Sequence, residues 1–513
     1  MKQLFALLLA IAPGWSFAAE PPPQASAVIS NVVIVDGTGA PARKGAVRIS
    51  GAEILAVGDV IPEKNEVVID GGGKTLAPGF IDTHSHHDQD IAQNIAKSRD
   101  LVAVTSQGVT TIIVGQDGFS QSPLKDFFTE LQKSPLAVNI GSYAGHNTLR
   151  EQGMGAVRRA ATDAEIASMS KLLEQDMAAG AFGLSTGLEY ETGNFSTPAE
   201  VIALAKVAAG LGGRYMSHIR DEEFDLMPAL QEVIDVGKAT GAPVQISHLK
   251  IGAKKLWGAS DKVLQLLNDA RAAGVDITAD AYPYTYWQST MRVMFPNKDY
   301  TSREDLAFTL KESTPADKLH FARYAPDPQI VGKTLAQVAK ERGGNPVDVY
   351  LDLMKKAIEY EKAHPEDKAV ESVIGASMSD KDVERFLTWE HTNICSDGYS
   401  MGHPRGHGAF SRVLGHYVRE KKLMTLEQAV HKMTGLAAKH LGLTDRGVIA
   451  AGNSADLVLF DPEEVVDRAT LQNPTATSLG IEKVWVNGRL VFQERRSTGV
   501  HPGQVIRPAK KTT

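Results

Sequence analysis

The residues with chemistry to offer begin in the stretch Pro78-Gly79-Phe80-Ile81-Asp82-Thr83-His84-Ser85-His86, where an apolar run ends in two histidines separated by one residue. Side chains alternate across a strand, so His84 and His86 point to one side and can share a cation. Imidazole is a common ligand for zinc and similar metals. His87, the next residue, faces away and reads as a supporting or structural residue. Further on, Ser217-His218, Ser247-His248 and Ser396-Asp397-Gly398 each end a β-prone run, and another runs into Val114-Gly115-Gln116-Asp117-Gly118. If these are strand ends on one rim, His84, His86, His218, His248, Asp117 and Asp397 converge there. Such a set suits a mono- or binuclear metal site. The chain has one cysteine, Cys395, so neither a thiolate cluster nor an internal disulfide is available.

A rim of this kind needs strands that all point the same way. β-type runs at 79–83, 109–114, 137–142, 182–185, 214–217, 243–247, 276–280 and 392–396 alternate with helical patterns at 164–177, 198–210, 226–240 and 262–273, where apolar residues recur at three- and four-residue steps. Eight strands alternating with helices predict an α/β fold of the (β/α)8 TIM-barrel type, whose chemistry sits at the carboxyl ends of the strands. An open doubly wound sheet fits less well, because no Gly-rich phosphate fingerprint follows the first barrel strand. The gap at 286–390 is too long for one crossover and carries an apolar face at Leu351, Leu353, Met354 and Ile358, so it reads as an insertion over the barrel mouth, a lid or specificity element.

Both ends of the chain are β-rich. Short runs such as Val32-Val33-Ile34-Val35 and Ala46-Val47-Arg48-Ile49, separated by Asp36-Gly37 and Ser50-Gly51, are matched near the other end by Ala455-Asp456-Leu457-Val458-Leu459-Phe460 and Ile481-Glu482-Lys483-Val484-Trp485-Val486. The expected organisation is a small β-sandwich from 27–76 plus 447–500 around a barrel at 77–446.

With 513 residues, 43% apolar and 22% charged, the chain is globular in composition. A formal charge of -7 without an extended basic patch argues against nucleic acid as a partner. The start, Met1-Lys2-Gln3 followed by apolar residues 4–12 and Ser16-Phe17-Ala18, has the form of a secretory signal peptide (1–18), cleaved after Ala18 and too short to span a bilayer. A periplasmic or secreted protein, off the membrane after signal removal, is expected.

Together these residues resemble the amidohydrolase superfamily, in its D-aminoacylase (N-acyl-D-amino-acid deacylase) branch. The phrases that carry the resemblance include Ala77-Pro78-Gly79-Phe80-Ile81-Asp82-Thr83-His84-Ser85-His86, Gly145-His146-Asn147-Thr148-Leu149-Arg150, Gly183-Leu184-Ser185-Thr186-Gly187-Leu188-Glu189-Tyr190, Ser217-His218-Ile219-Arg220, Ser247-His248-Leu249-Lys250, Ser396-Asp397-Gly398 and His403-Pro404-Arg405. The resemblance implies hydrolysis of the amide of an N-acyl-D-amino acid by metal-activated water, with Zn2+ as the expected metal, one or two per chain. It implies Asp397 as general base and then acid, and Tyr190 as the donor to the developing oxyanion. It also implies Lys250, Tyr282, Ser289 and Arg405 as the holders of the substrate carboxylate.

The sequence departs from the family where a Gly-Asn-Cys-Gly phrase is usual. Here Gly115-Gln116-Asp117-Gly118 puts a hard carboxylate in place of a thiolate, which admits Mn2+, Fe2+ or Co2+, or two metals bridged by Asp117. The Tyr282 region is one residue longer than the family's and the run to Arg405 shorter. The rival readings are a dipeptidase or a deacylase for another carboxylated amide and, outside enzymes, an inactive scaffold of the same fold. Acyl and side-chain preference, metal number and oligomeric state are left open by the sequence.

Overall fold

Strands covered on both faces read as continuous apolar runs, and Val109–Val114, buried at every position, is the plainest case. The computed structural model describes residues 26–155, 157–367 and 369–508. The apolar leader and the cleavage expected after Ala18 lie outside the described residues. Among those residues, no helix is long and apolar enough to cross a membrane.

All the expected barrel strands are present: Phe80–Asp82, Val109–Val114, Asn139–Ser142, Gly183–Gly187, Arg214–His218, Val244–Ile246, Ile277–Ala281 and Thr392–Ile394. The first three pair in parallel, as do the last five. Between the two sets the Phe182 N–H donates to Ser142 O over 2.9 Å, and the short strand Ala144–Gly145 pairs with Gly183–Gly187. A parallel bridge from Ser85 to Gly398 closes the ring between first and last strands. Helices cover the outside. Asp163–Ala179 starts at a Thr162 capping box and ends at Gly180 in the left-handed region, while Pro198–Gly210 starts at Thr197 with proline in its first turn.

Strands from both ends of the chain share one nine-stranded sheet. Its seam is the antiparallel pairing of Thr75–Pro78 with Leu457–Phe460, so the strand leading into the barrel is fixed by residues from the far end of the sequence. Ile29, Ile34, Val47, Ile54, Leu459 and Trp485 form its core.

The insertion has its own antiparallel sheet, Tyr286–Ser289, Leu319–Tyr324 and Glu371–Ala376, with the helix Pro346–Ala363 and a core around Phe295, Phe321, Tyr350 and Leu353. It is shorter than the expected 286–390. The helix Asp380–Thr388 packs on the last two barrel strands and completes the helical ring.

Candidate metal and substrate site

The first strand stops at Asp82, short of the histidines, and the Asp82 carboxylate accepts the Ser396 N–H at 2.9 Å. The chain bends at Thr83 and His84 but stays tied to its neighbours. Ser85 N–H donates to Ile113 O and His86 N–H to Gly398 O, and the rings of His84 and His86 stand 5.4 Å apart. His87 turns away, begins the helix His87–Gln93 and pairs with Asp90 at 3.0 Å.

Asp117 is the centre of the rim. Its Oδ1 lies 3.3 Å from His84 Nε2 and 3.4 Å from His248 Nε2, and its Oδ2 lies 3.4 Å from His86 Nε2 and 3.7 Å from His218 Nδ1. Asp397 Oδ1 comes within 3.1 Å of His86 Nε2 and 3.6 Å of His84 Nε2. His218 Nδ1 and His248 Nε2 face each other across 3.0 Å. The backbone at Asp117, His248 and Asp397 is in the left-handed region, with φ of 55°, 34° and 48°. Each such residue costs on the order of 1–3 kcal/mol, and strain of this kind clusters at functional sites. Gly115, at φ 73°, lets the Asp117 loop pass so close that a Cβ there would lie 2.3 Å from Tyr143 O.

Neither ring nitrogen of His84 makes a well-directed hydrogen bond, although both are buried, and Asp117 Oδ1 is likewise unmatched. Buried polar atoms are normally paired. Ligand atoms of His84, Asp117, His248 and Asp397 lie within 4.8 Å of one another, and those of His218, Glu222 and His248 do the same. Unmatched donor atoms converging in this way fit a divalent cation, and imidazoles with carboxylates suit zinc, manganese, iron or cobalt. Electrostatics agree. Burial opposes charge on His84, His86 and His218, but the surrounding carboxylates outweigh it, pushing His86 to about 9, His218 to about 10 and His84 well above its ordinary value. Asp117 is held well below the carboxylate range: burial works against it, and His84 and His248 prevail.

Three of these imidazoles carry a carboxylate on or near the second nitrogen: His218 Nε2 is 2.7 Å from Glu189, His248 Nδ1 is 3.0 Å from Glu222, and His84 Nδ1 is 3.7 Å from Asp280. Outer carboxylates of this kind orient ligand histidines and raise their basicity. Asp280 also accepts the His248 N–H at 2.6 Å. The sequence reading missed all three. Asp280 ends the expected seventh strand and was open to the strand-end argument; Glu189 adjoins Tyr190; Glu222 lies four residues beyond His218, in a loop that no periodicity places.

The expected carboxylate holders also meet. The strand before His248 stops at Ile246, and the loop beyond brings Lys250 Nζ to 2.7 Å from His248 Nδ1 and from both Glu222 oxygens. Arg405 lies over the Tyr282 ring at 4.6 Å and reaches Asp397 Oδ2 at 2.8 Å. The buried Tyr282 hydroxyl has no hydrogen-bond partner. Tyr190 packs its ring 4.6 Å from that of His218, and burial, reinforced by Asp117, pushes its hydroxyl well above the usual value, so it remains a proton donor. Ser289 comes from the first strand of the insertion. All of these except the fully buried His84 border one cavity of about 1080 Å³ between the barrel mouth and the insertion.

The amidohydrolase family profile matches residues 390–492. A D-aminoacylase of Alcaligenes xylosoxydans xylosoxydans is 35% identical over 505 residues, 93% of this chain and 97% of its own. This chain belongs to the amidohydrolase family, in its D-aminoacylase branch. A solved D-aminoacylase, described for one-metal activation and second-metal attenuation at its binuclear centre, superposes with a TM-score of 0.83 at 34% identity, covering 94% of this chain and 99% of that one. The N-acyl-D-glutamate deacylase of Bordetella bronchiseptica, solved with zinc and a phosphonate mimic of the tetrahedral intermediate, gives 0.82 at 33% identity with the same coverage.

Proposed function

We propose that this protein is a metal-dependent deacylase that hydrolyses the amide of N-acyl-D-amino acids to a carboxylate and a free D-amino acid. The observation that carries the reading is the convergence of His84, His86, His218, His248 and Asp397 on Asp117, beside an Arg405, Lys250 and Tyr282 group suited to a carboxylate. A divalent cation bound in this donor set, zinc above all, supplies Lewis acidity that acidifies water and polarises an amide carbonyl. Asp397 accepts the proton of the attacking water as the new C–O bond forms and returns it to the nitrogen as the C–N bond breaks. The Tyr190 hydroxyl donates to the oxygen that becomes negative. Lys250, Tyr282 and Ser289 hold the substrate carboxylate together with Arg405, which joins that group to Asp397. Asp117, whose Oδ1 faces His84 and His248 and whose Oδ2 faces His86 and His218, would help hold one or two cations in this donor set.

The signal-like start of the sequence supports export to the periplasm or beyond. Assaying N-acetyl-D-amino acids, N-acetyl-L-amino acids and dipeptides of both hands tests the reading. Turnover of the D-series is expected, and turnover of dipeptides alone would replace it with the dipeptidase.

A further inference from the structure

The cavity is larger and more apolar at its mouth than an N-acetylated amino acid requires. Its 1080 Å³ exceeds the roughly 300–1,000 Å³ that buries a drug-sized ligand. On the floor, Lys250, Tyr282 and Arg405 meet the histidine rim. At the mouth stand Phe119, Val331 and Met401, which are 41%, 43% and 62% exposed and border this same cavity. They come from three separate segments: the loop after the second barrel strand, the insertion, and the loop after the last strand. Apolar side chains exposed to a substrate cavity offer surface that an apolar part of a ligand can cover.

The geometry also says which part of a substrate covers it. On the reading proposed above, the amino-acid carboxylate is held at Lys250, Tyr282 and Arg405, and the carbonyl under attack lies between Asp397 and Tyr190. The acyl chain leaves that carbonyl on the side away from the nitrogen. Phe119 follows Asp117 by two residues and its ring is 6.0 Å from that of Tyr190, so it is an apolar surface close to the carbonyl. Met401, four residues beyond Asp397, and Val331 on the insertion line the same cavity.

We infer that the mouth is an acyl-chain subsite and that this protein prefers N-acyl-D-amino acids with medium or long aliphatic acyl groups over their N-acetyl counterparts. The inference rests on the deacylase reading. Its products are a fatty acid and a free D-amino acid, so the substrate must come from a reaction that condenses an activated fatty acyl group with a D-amino acid.

The test is kcat/KM for acetyl, butanoyl, hexanoyl and octanoyl derivatives of one D-amino acid, with full-length mature protein. A fully buried methylene corresponds to about fourfold and a half-buried one to about twofold, so a rise of at least about tenfold from acetyl to octanoyl is expected. Met401→Ser and Val331→Ser should each lower the octanoyl-to-acetyl ratio by about twofold or more. That ratio is internal to each preparation and so is unaffected by the fraction folded. A second series fixes the acetyl group and lengthens the amino-acid side chain. A flat or falling acyl-length profile with active acetyl substrate would overturn the inference and leave the deacylase reading standing. A rise with side-chain length alone would reassign the mouth to the side chain and also overturn it. No turnover at any length would remove the deacylase reading as well.

Discussion

Two buried clusters in this barrel set imidazole against carboxylate, and they resolve the charge in opposite ways. Behind the fourth strand, Glu200 accepts from His146 Nε2 at 2.9 Å and pairs with Arg150, while Arg150 donates to Arg159 O at 2.7 Å. One fixed cation meets one anion. Burial then leaves His146 below its ordinary proton affinity. At the rim, Asp117 meets four imidazoles and no guanidinium, and the surrounding carboxylates raise three of those imidazoles above their ordinary value. The Glu200 cluster balances its charge with its own arginine and acts as a strut. The Asp117 cluster leaves both ring nitrogens of His84 and one Asp117 oxygen unmatched, the arrangement a cation would complete. What separates a site from a strut is therefore the nature of the countercharge, fixed by arginine in one and exchangeable for a metal in the other.

The sharpest way to break this contrast is at the rim. Asp397→Asn keeps the shape but removes the proton acceptor, and kcat should fall by about 10²–10⁴-fold with the circular dichroism spectrum unchanged; retention of activity would remove Asp397 from the mechanism. At the strut, Glu200→Gln leaves Arg150 buried without its anion, which should cost about 3–5 kcal/mol of stability in urea unfolding with the metal content of the folded protein preserved. Loss of metal without loss of stability would erase the distinction between the clusters. Between these lies Glu222→Gln, expected to weaken metal binding about 10–100-fold by equilibrium dialysis.

The metal-free protein adds a test by pH. His86 and His218 are raised to about 9 and 10 from an ordinary 6.5, so the stability their protons lend is complete below about pH 6.5 and is lost as pH climbs through 9 to 10. Metal binding must displace those protons. Its apparent affinity should therefore rise with pH between 7 and 9, by up to about tenfold per unit for each proton released. A chelator competition that shows pH-independent affinity would contradict the protonation assigned to the rim.

The barrel was legible because its strands are apolar runs with sharp ends, and the strand-end rule alone brought His218, His248 and Asp397 to one place. His84 and His86 were reached by a premise that fails in detail, since their strand ends at Asp82, yet they converge because Ser85 and His86 keep hydrogen bonding to the neighbouring chain. The edge strand Leu319–Tyr324 and the central strand Glu371–Ala376 of the insertion, Leu-His-Phe-Ala-Arg-Tyr and Glu-Ser-Val-Ile-Gly-Ala, mix polar and apolar residues and lie within a stretch whose clearest periodicity is helical. Glu189 and Glu222 escaped for another reason. They act through the far side of a histidine ring, and no spacing in the sequence encodes which nitrogen faces inward.

The central claim is that the Asp117 rim works only with a bound cation. Hydrolysis of an N-acyl-D-amino acid, followed as Zn2+ is titrated back into chelator-treated protein with bound metal measured alongside, tests it most directly. The account predicts background turnover in the metal-free protein and recovery in step with bound metal. Full turnover with no metal bound would contradict it.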